Sequence, residues 1–508
     1  MAAFAVLFEP GRKEAQMKPE SQKLPVLEKI GYSLGDAGAN FVFKTMIMFQ
    51  LFFYTNTMGI LAWQAGTLLL VGRLWDAFFD PMMGVLADRT KTRWGKFRPW
   101  VLWSALPWGI VMVLAYTTPG FSAAGTIVYA CVTNVLLMTL YSVNNTPYSA
   151  MTGVMTGDVN ERTSLSSYRF VSAMIAQLMV AGLTLPLVAK FGKGDDAKGW
   201  QTTIGLWAVL CVILFVITFF TTRERIQPDP KQTSSVKEDF GNLIKNKPWV
   251  VMFFVTLCQF IVEALRGGTL VYYFKHYINQ NRMFDLLQSL GLTDGAGSGW
   301  WYNTLSSFGL IINAEKSNVA DVGYSLFSMS SQFVTVIGVL CATYLGIRFG
   351  KKAIALAGFS LAGIFMASFI LLSSDSVEAT FALEYLRAIS FAPAIPLLWA
   401  MFADVADYAE WKTGRRTTGV IYATIMFSLK AGLSLGGAIA GWLLSAYGYI
   451  PNVQQTAEAL LGIRLTISLY PAVFYVVIVI FLVFYQIGKK LNIQIQDELA
   501  ERRRQFQN

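Results

Sequence analysis

Two carboxylates, Asp76 and Asp80, lie four residues apart in an otherwise apolar stretch, "GRLWDAFFDPMMGVLADR". In an α-helix this spacing places both side chains on the same face, one turn apart. Adjacent carboxylates repel each other, so a dry site would protonate one of them unless a cation were bound. Because hard cations prefer oxygen ligands, the pair predicts a binding site for Na⁺ or H⁺. The alternative is a structural role, in which Arg73 and the basic loop after Asp80 neutralise the pair.

Further polar residues recur at helical spacing in two other apolar stretches. "GYSLGDAGANF" contains Asp36 and Asn40, and "YSVNNTPYSAM" contains Tyr141, Asn145, Tyr148 and Ser149. Amides, hydroxyls and aromatic rings together suit a sugar, because its hydroxyl groups need hydrogen bonds and its C–H faces pack on rings. Any one of these residues alone is explained by helix packing, but the combination predicts a polar cavity.

Cationic residues occur within the same kind of apolar stretch. Arg169 lies in "SSYRFVSAM" and Lys430 in "IYATIMFSLKAGLSLGG". A lysine buried without a partner would lose its proton or seek a carboxylate, so Lys430 is expected to face Asp76 and Asp80. Glu263 and Arg266 are three residues apart, and we expect them to pair with each other.

The composition indicates the setting in which these residues lie. The 508-residue chain is 54% hydrophobic and only 14% charged, whereas soluble domains contain about 25% charged residues. The apolar residues recur in blocks of about 20, the length of a membrane-spanning helix. The sequence therefore predicts an all-α polytopic membrane protein with twelve transmembrane helices. We expect them near residues 30–55, 61–87, 99–118, 123–154, 164–191, 200–222, 248–275, 321–347, 351–374, 378–404, 418–447 and 464–487.

The net charge of +10 comes from Lys and Arg in short loops and tails, which is typical of the cytoplasmic side of a membrane protein. The alternate loops 55–60 and 118–122 contain neither residue type. We therefore expect both termini in the cytoplasm and no binding of nucleic acid.

The spans divide into two six-helix bundles, predicted at residues 30–222 and 248–487. The cytoplasmic segments are expected to be an N-tail (1–29), a linker (223–247) and a C-tail (488–508). Each bundle carries a short basic R-x-G-K element after its second span. A six-plus-six duplication of this kind is the layout of the major facilitator transporters. The outward insertion at 276–320 breaks the symmetry and is read as a tolerated insertion or, alternatively, as a lid.

Several stretches together resemble the glycoside–pentoside–hexuronide:cation symporters, the family of the melibiose carrier. They are "RLWDAFFDPMMGVLADRTKTRWGKFRP", "NNTPYSAM", "ERTSLSSYRF", "ADVADYAEWKTGRRTTG", "SLKAGLSLGG" and "GYIPNVQQTAEALLGI". The similarity runs from about Lys29 to Lys490, the outward insertion excepted. It implies a twelve-helix carrier driven by Na⁺, H⁺ or Li⁺ that needs no cofactor and works by alternating access.

The resemblance also implies roles for particular residues. The cation would bind Asp76 and Asp80, with Ser142 nearby, and Arg169 would touch the sugar. Lys430 would lie close to both sites and couple them. The loop "DRTKTRWGKF" would act as a gate, through Asp88, Arg89, Arg93 and Lys96.

The chain departs from the melibiose pattern at four positions. The two sugar-binding aspartates of that pattern fall on Asn40 and Asn145, and two expected tryptophans fall on Ser149 and Ile395, with Trp399 one turn later. Melibiose is therefore not the expected substrate. A pocket with fewer anions would better tolerate a carboxylate on the sugar, although neutral glycosides and pentosides stay open.

The sequence thus predicts a symporter in a bacterial inner membrane that imports a sugar with Na⁺ or H⁺, with the monomer sufficient for transport. A lysolipid carrier of the same fold is the alternative, but such a carrier would need a wide apolar portal between its helices. An intramembrane enzyme would need an acid–base or metal-ligand set at depth. The one histidine, His276, lies at a span end, and the four cysteines are scattered in apolar blocks (Cys131, Cys211, Cys258, Cys341).

Overall fold

The computed structural model describes residues 23–156, 158–225, 246–295, 297–414 and 418–505. Most of the predicted linker and N-tail therefore lies outside the described residues. The first half contains α1 (Val26–Phe52), α2 (Ala62–Arg89), α3 (Arg98–Ala115), α4 (Ala123–Met155), α5 (Val159–Gly192) and α6 (Asp196–Thr221). A π-helical turn, Phe53–Thr57, extends α1.

The second half begins with α7 (Lys247–Tyr272), which ends in a π-helical turn, Tyr273–Tyr277. The insertion then forms two short helices, α8 (Gln280–Ser289) and α9 (Trp300–Ser307). The remaining helices are α10 (Val319–Leu340), α11 (Ala342–Phe349), α12 (Lys351–Ser368), α13 (Val377–Phe391), α14 (Ala394–Thr413), α15 (Thr418–Ala446), α16 (Ala457–Ile467), α17 (Leu469–Val483) and α18 (Lys489–Gln505).

The part of the chain that the structure describes forms twelve spans, because three pairs of consecutive helices each form one broken span: α10 with α11, α13 with α14, and α16 with α17. Pro393 separates α13 from α14, since a proline removes one backbone donor and clashes with the preceding turn. By length and composition, ten spans of the described residues are long and apolar enough to cross a membrane. The other two, α1 and α2, have 27 and 28 residues but carry four of the predicted polar site residues, Asp36, Asn40, Asp76 and Asp80.

The last span begins earlier than expected. The span predicted near residues 464–487 starts instead at residue 457, where α16 begins. Thr456 caps this helix, because its side chain accepts a hydrogen bond from the backbone N–H of Ala459. The apolar block in the sequence indicates a span here, but it does not indicate the cap at Thr456 or the break at Ser468 that follows α16.

The helix ends define two faces of the molecule. At the first, which we call the terminal face, lie the start of α1, the α2–α3 loop, the α6 end and α18. There Glu224, just after α6, accepts hydrogen bonds from the backbone N–H groups of Lys96, Phe97 and Arg98 at 2.7–2.8 Å. The opposite, distal face carries the insertion and residues 53–61.

The two halves meet closely at the distal face. Asn56 accepts a hydrogen bond from Tyr449 at 3.0 Å, and Thr55 is bonded to Tyr272 at 2.7 Å. Gly441 of α15 approaches α2 so closely that a Cβ atom there would lie 2.3 Å from the Ala62 carbonyl oxygen. Among the described contacts between the halves, the ion pairs of Lys430 with Asp76 and Asp80 lie nearest to the terminal face. We call the space between the halves on the terminal side of Asp80 the cleft.

Candidate functional site

The α2 and α4 helices run parallel, in a register that repeats along their length. Asn134 donates to the Leu68 carbonyl, Ser142 donates to Asp76, and Thr146 donates to Asp80 at 3.2 Å, always at a sequence separation of 66. Gly72 permits this approach, since a Cβ there would lie 2.3 Å from the Asn134 side chain. The register places one hydroxyl of α4 against each carboxylate of α2.

The two carboxylates also share one cation from the other half. Lys430 of α15 lies 2.8 Å from an oxygen of Asp76 and forms a second ion pair with Asp80. The predicted meeting of Lys430 with this pair is therefore present. The Asp76 side chain is only 2% exposed and that of Asp80 is 28% exposed, so one carboxylate lies inside and the other borders the cleft.

Arg73 does not neutralise the pair directly. It is buried one turn before Asp76, with its guanidinium 5.5 Å from the centre of the Phe43 ring. None of the described ion pairs joins it to Asp76 or Asp80. The site thus offers four carboxylate oxygens and two hydroxyl oxygens, a donor set that suits a hard cation.

Sequence reasoning missed Thr146 in this set. The signal was available, because Thr146 follows Ser142 by four residues just as Asp80 follows Asp76. Two i, i+4 ladders on parallel helices can match only in one register. That register, however, depends on the packing of α2 against α4, which the sequence alone does not give.

The second group of polar residues surrounds Arg169 of α5. Its guanidinium lies 3.4 Å from Asp36 and over the rings of Tyr32 and Tyr148, at 5.7 and 5.1 Å. The two rings are stacked 4.7 Å apart, and each hydroxyl donates to the other residue's carbonyl oxygen. Tyr148 is fully buried, so in this conformation its ring packs against the Arg169 guanidinium and does not face the cleft.

Asn40 and Asn145 occupy two separate positions beside this group. The Asn40 amide donates to the Asp36 carbonyl oxygen at 2.8 Å and accepts from Gln177 at 3.0 Å. Asn145 donates to the Tyr141 hydroxyl at 3.2 Å. The Lys430 ammonium lies 5.8 Å from the centre of the Tyr141 ring, so Tyr141 connects the Asn145 region with the cation site.

Gln177 is a polar residue of this group that sequence reasoning missed. It follows Arg169 by eight residues, which places both side chains on one face of α5. Ser149 is exposed on α4, and Trp399 on α14 is 40% exposed. Trp399 lines a cavity of about 200 Å³ together with Phe43, Lys44 and Gln177. Residues of both halves therefore enclose the space next to Asn40.

A larger cavity of about 260 Å³ continues from there into the second half. Both cavities are bordered by Lys44, Gln177 and Glu263. The expected pair of Glu263 with Arg266 is wrong. Lys44 of α1 binds Glu263 at 2.7 Å, and Arg266 binds Glu384 of α13 at 2.6 Å. A pair within one helix contributes only about 0.2–0.5 kcal/mol, whereas a buried carboxylate such as Glu384 requires partners.

The predicted gate loop is fixed to its own half in this conformation. Glu224 holds the backbone of Lys96 through its N–H group, as described above, and Arg93 lies 4.8 Å from the Trp94 ring centre. Asp88 and Arg89 are exposed and belong to none of the ion pairs of the described residues. A bracing contact with the other half stays a prediction for another conformation.

Comparison with known proteins places the chain in a family. Residues 31–302 and 315–489 match the family model described as "MFS/sugar transport protein". The inner membrane symporter YicJ of Escherichia coli is 34% identical over 96% of this chain and 98% of its own length. The isoprimeverose transporter of Lactiplantibacillus pentosus is 31% identical over 92% of this chain and 90% of its own.

The fold is also that of a solved transporter. A bacterial homologue of the human lysosomal transporter Spinster aligns with a TM-score of 0.60 and 13% identity, covering 92% of this chain and 97% of the homologue. At that identity the likeness concerns the fold alone. Together with the family model and the two relatives, it shows that this chain belongs to the sugar-transporting symporters of the major facilitator superfamily.

Proposed function

We propose that the protein is a secondary active transporter that moves a sugar together with a cation by alternating access. The observation that carries this proposal is the ion pair of Asp76 and Asp80 with Lys430. It joins the two halves, nearer to the terminal face than their other described contacts. The matching family and the similar relatives are transporters, and this protein is likewise a transporter and not an enzyme.

The proposed setting is a bacterial inner membrane, with the terminal face in the cytoplasm. Basic residues of the α2–α3 loop (Arg89, Lys91, Arg93, Lys96, Arg98) and of the α11–α12 junction (Arg348, Lys351, Lys352) lie at this face. Such residues concentrate on the cytoplasmic side of membrane proteins. Both termini are then cytoplasmic, and the cleft faces inward.

Lys430 provides the proposed link between cation binding and conformation. A Na⁺ ion at Asp76 and Asp80 would use the same oxygens as the Lys430 ammonium. Two unit charges 4 Å apart repel by about 4 kcal/mol at an effective dielectric constant of about 20, so the two cations exclude each other. Entry of Na⁺ or H⁺ would release Lys430, and with it a bond that holds the two halves together.

The sugar is proposed to bind between α1, α4 and α5, with Arg169, Asp36, Asn40, Asn145 and Tyr141 as its polar partners. Ser149 is exposed, and Trp399, which lines the cavity of about 200 Å³, would supply a ring for stacking. Tyr148 acts through Arg169, because its own hydroxyl is already bonded to the Tyr32 carbonyl oxygen at 2.7 Å. Substrate at this position would lie beside the residues that hold Lys430.

The proposal is tested with purified protein in proteoliposomes. A panel of radiolabelled glycosides, pentosides and hexuronides is offered with an imposed gradient of Na⁺, Li⁺ or H⁺. We expect accumulation of at least one sugar above its external concentration, and loss of that accumulation when the cation gradient is collapsed. Uptake that only equilibrates the sugar, whatever the gradient, would instead identify a uniporter.

A further inference from the structure

A second cluster of charges lies in the cavity of the second half, away from Asp76 and Asp80. Glu384 binds Arg266 at 2.6 Å and Arg387 at 2.5 Å, and it accepts a hydrogen bond from Ser331 at 2.6 Å. We call Arg266, Ser331, Glu384 and Arg387 the C-half cluster. The side chain of Glu384 is 2% exposed and those of the two arginines are 10% and 13% exposed.

The cluster carries more positive than negative charge. The remaining ionisable groups beside it, Lys44 and Glu263, form a pair of their own at 2.7 Å. Three cations therefore face two carboxylates, which leaves one positive charge without a counter-charge. A buried charge of this kind is costly unless an anion or a hydrogen-bonding partner compensates it.

The surplus charge borders the cavity shared by the two halves. Arg266, Arg387 and Glu384 line its 260 Å³, and so does Gln177, which donates to Asn40 of the first half. Two polar atoms at this cavity, Nε of Arg266 and Oγ of Ser328, have no hydrogen-bond partner among the described residues. Their residues are only 8% and 9% exposed, so solvent does little to satisfy them.

We propose that the C-half cluster binds a carboxylate group carried by the transported sugar. This inference rests on the proposed transport function and specifies its substrate as an acidic sugar or glycoside. One carboxylate balances the single surplus charge, and the planar guanidinium fork matches its geometry. The sugar ring would then reach Gln177 and Asn40 across the cavity, so that both halves hold one substrate. A phosphate dianion would exceed the available positive charge.

The test compares matched acids and neutral sugars by titration calorimetry on the full-length purified protein. The pairs are methyl glucuronide with methyl glucoside, and methyl galacturonide with methyl galactoside, with glucose 6-phosphate as a dianion. We expect the acid of at least one pair to bind about tenfold or more tightly than its neutral partner, since hydrogen bonds to charged groups contribute about 1.5–3 kcal/mol. Glucose 6-phosphate should bind more weakly than that acid.

Two variants address the cluster itself. Arg266→Gln should remove the preference for the acid while changing the affinity for the neutral sugar less than about twofold. Ser328→Ala removes one unpartnered hydroxyl without changing charge, so it remains informative if Arg266→Gln does not fold. It should weaken acid binding by about threefold to tenfold. The matched control is Arg282→Gln on the exposed face of α8, which should retain the preference.

The inference is overturned if wild type binds neither acid, or binds it no better than its neutral partner or the phosphate. It is also overturned if both variants weaken acid and neutral sugar alike. In any of these cases, uptake of a neutral sugar driven by a cation gradient would leave the proposed transport function standing. Absence of gradient-driven uptake for every sugar tested would instead refute the transport function itself.

Discussion

The two halves of the protein satisfy their buried carboxylates in different ways. In the first half, Asp76 and Asp80 obtain their cation, Lys430, from the other half. In the second half, Glu384 is held by Arg266 and Arg387 of the same half. An ion pair between the halves has to break when the halves move, whereas a pair within one half can persist. The first arrangement suits coupling, and the second suits a rigid surface against which a substrate binds.

The largest expected effect concerns the carboxylates that depend on the other half. Asp76→Asn or Asp80→Asn should abolish accumulation of sugar. The coupling cation is proposed to displace Lys430 from two carboxylates, and a single carboxylate paired with Lys430 would leave the cation without a sufficient site. The measurement is gradient-driven uptake in proteoliposomes at equal reconstituted protein. Asp285→Asn, at an exposed position of α8, is the control for a lost carboxylate. Normal cation-driven accumulation in both variants would show that this pair is not the coupling site.

Glu384→Gln should affect stability more than either of those substitutions. It leaves two buried guanidinium groups without a carboxylate, and breaking a buried pair costs about 3–5 kcal/mol. Asp80→Asn should cost less than about 1 kcal/mol, because Lys430 keeps Asp76 as a partner and Asp80 borders the cleft. Thermal unfolding of both variants in one detergent measures the difference. Equal melting temperatures would contradict the distinction between the two halves.

This contrast also separates what the sequence predicts from what it does not. Twelve spans follow from apolar blocks, and the meeting of Lys430 with Asp76 and Asp80 follows from the cost of burying a lone charge. The partners of Glu263 and Arg266 could not be predicted in the same way. Each had a plausible partner three residues away, but the carboxylate that Arg266 binds lies more than a hundred residues further along the chain, on α13.

The sugar site falls between these cases, because composition indicates its chemistry but not its orientation. Tyr141, Asn145, Tyr148 and Ser149 share one short stretch, yet Tyr148 is buried beneath Arg169 while Ser149 is exposed. Adjacent residues point about 100° apart around a helix, and the side that Tyr148 occupies faces Tyr32, on which its ring stacks. A pattern of residues on one helix cannot reveal which neighbouring ring it will meet.

Arg169→Ala and Asn145→Ala should weaken sugar binding and leave cation binding nearly unchanged. Each removes a hydrogen-bonding group from a partly buried site, which costs about 1–3 kcal/mol, or roughly fivefold to a hundredfold in affinity. Arg169→Ala should have the larger effect, since its charge also holds Asp36. Separate titrations with a transported sugar and with Na⁺ provide the measurement. Unchanged sugar affinity in both variants would remove α4 and α5 from the proposed sugar site.

The last prediction concerns the two hydroxyls that face the carboxylate pair, and the smallest effect of all is expected for Thr146→Val. Ser142 is fully buried and donates to buried Asp76, so Ser142→Ala should cost about 1.5–3 kcal/mol of cation binding. Thr146 donates at 3.2 Å to Asp80, which borders the cleft, and water can replace it there. Thr146→Val, which keeps the shape of the side chain, should therefore cost about 1 kcal/mol, or roughly fivefold in affinity.

The measurement is Na⁺ titration of each variant, with Thr139→Val as the control for a lost α4 hydroxyl. Thr139 lies one turn from the site and contacts Trp75 at 2.8 Å without reaching either carboxylate. A larger loss in Thr146→Val than in Ser142→Ala would reverse the inner and outer roles of Asp76 and Asp80. The cation would then bind mainly at the cleft, and Asp76 would serve to anchor Lys430 after the cation has entered.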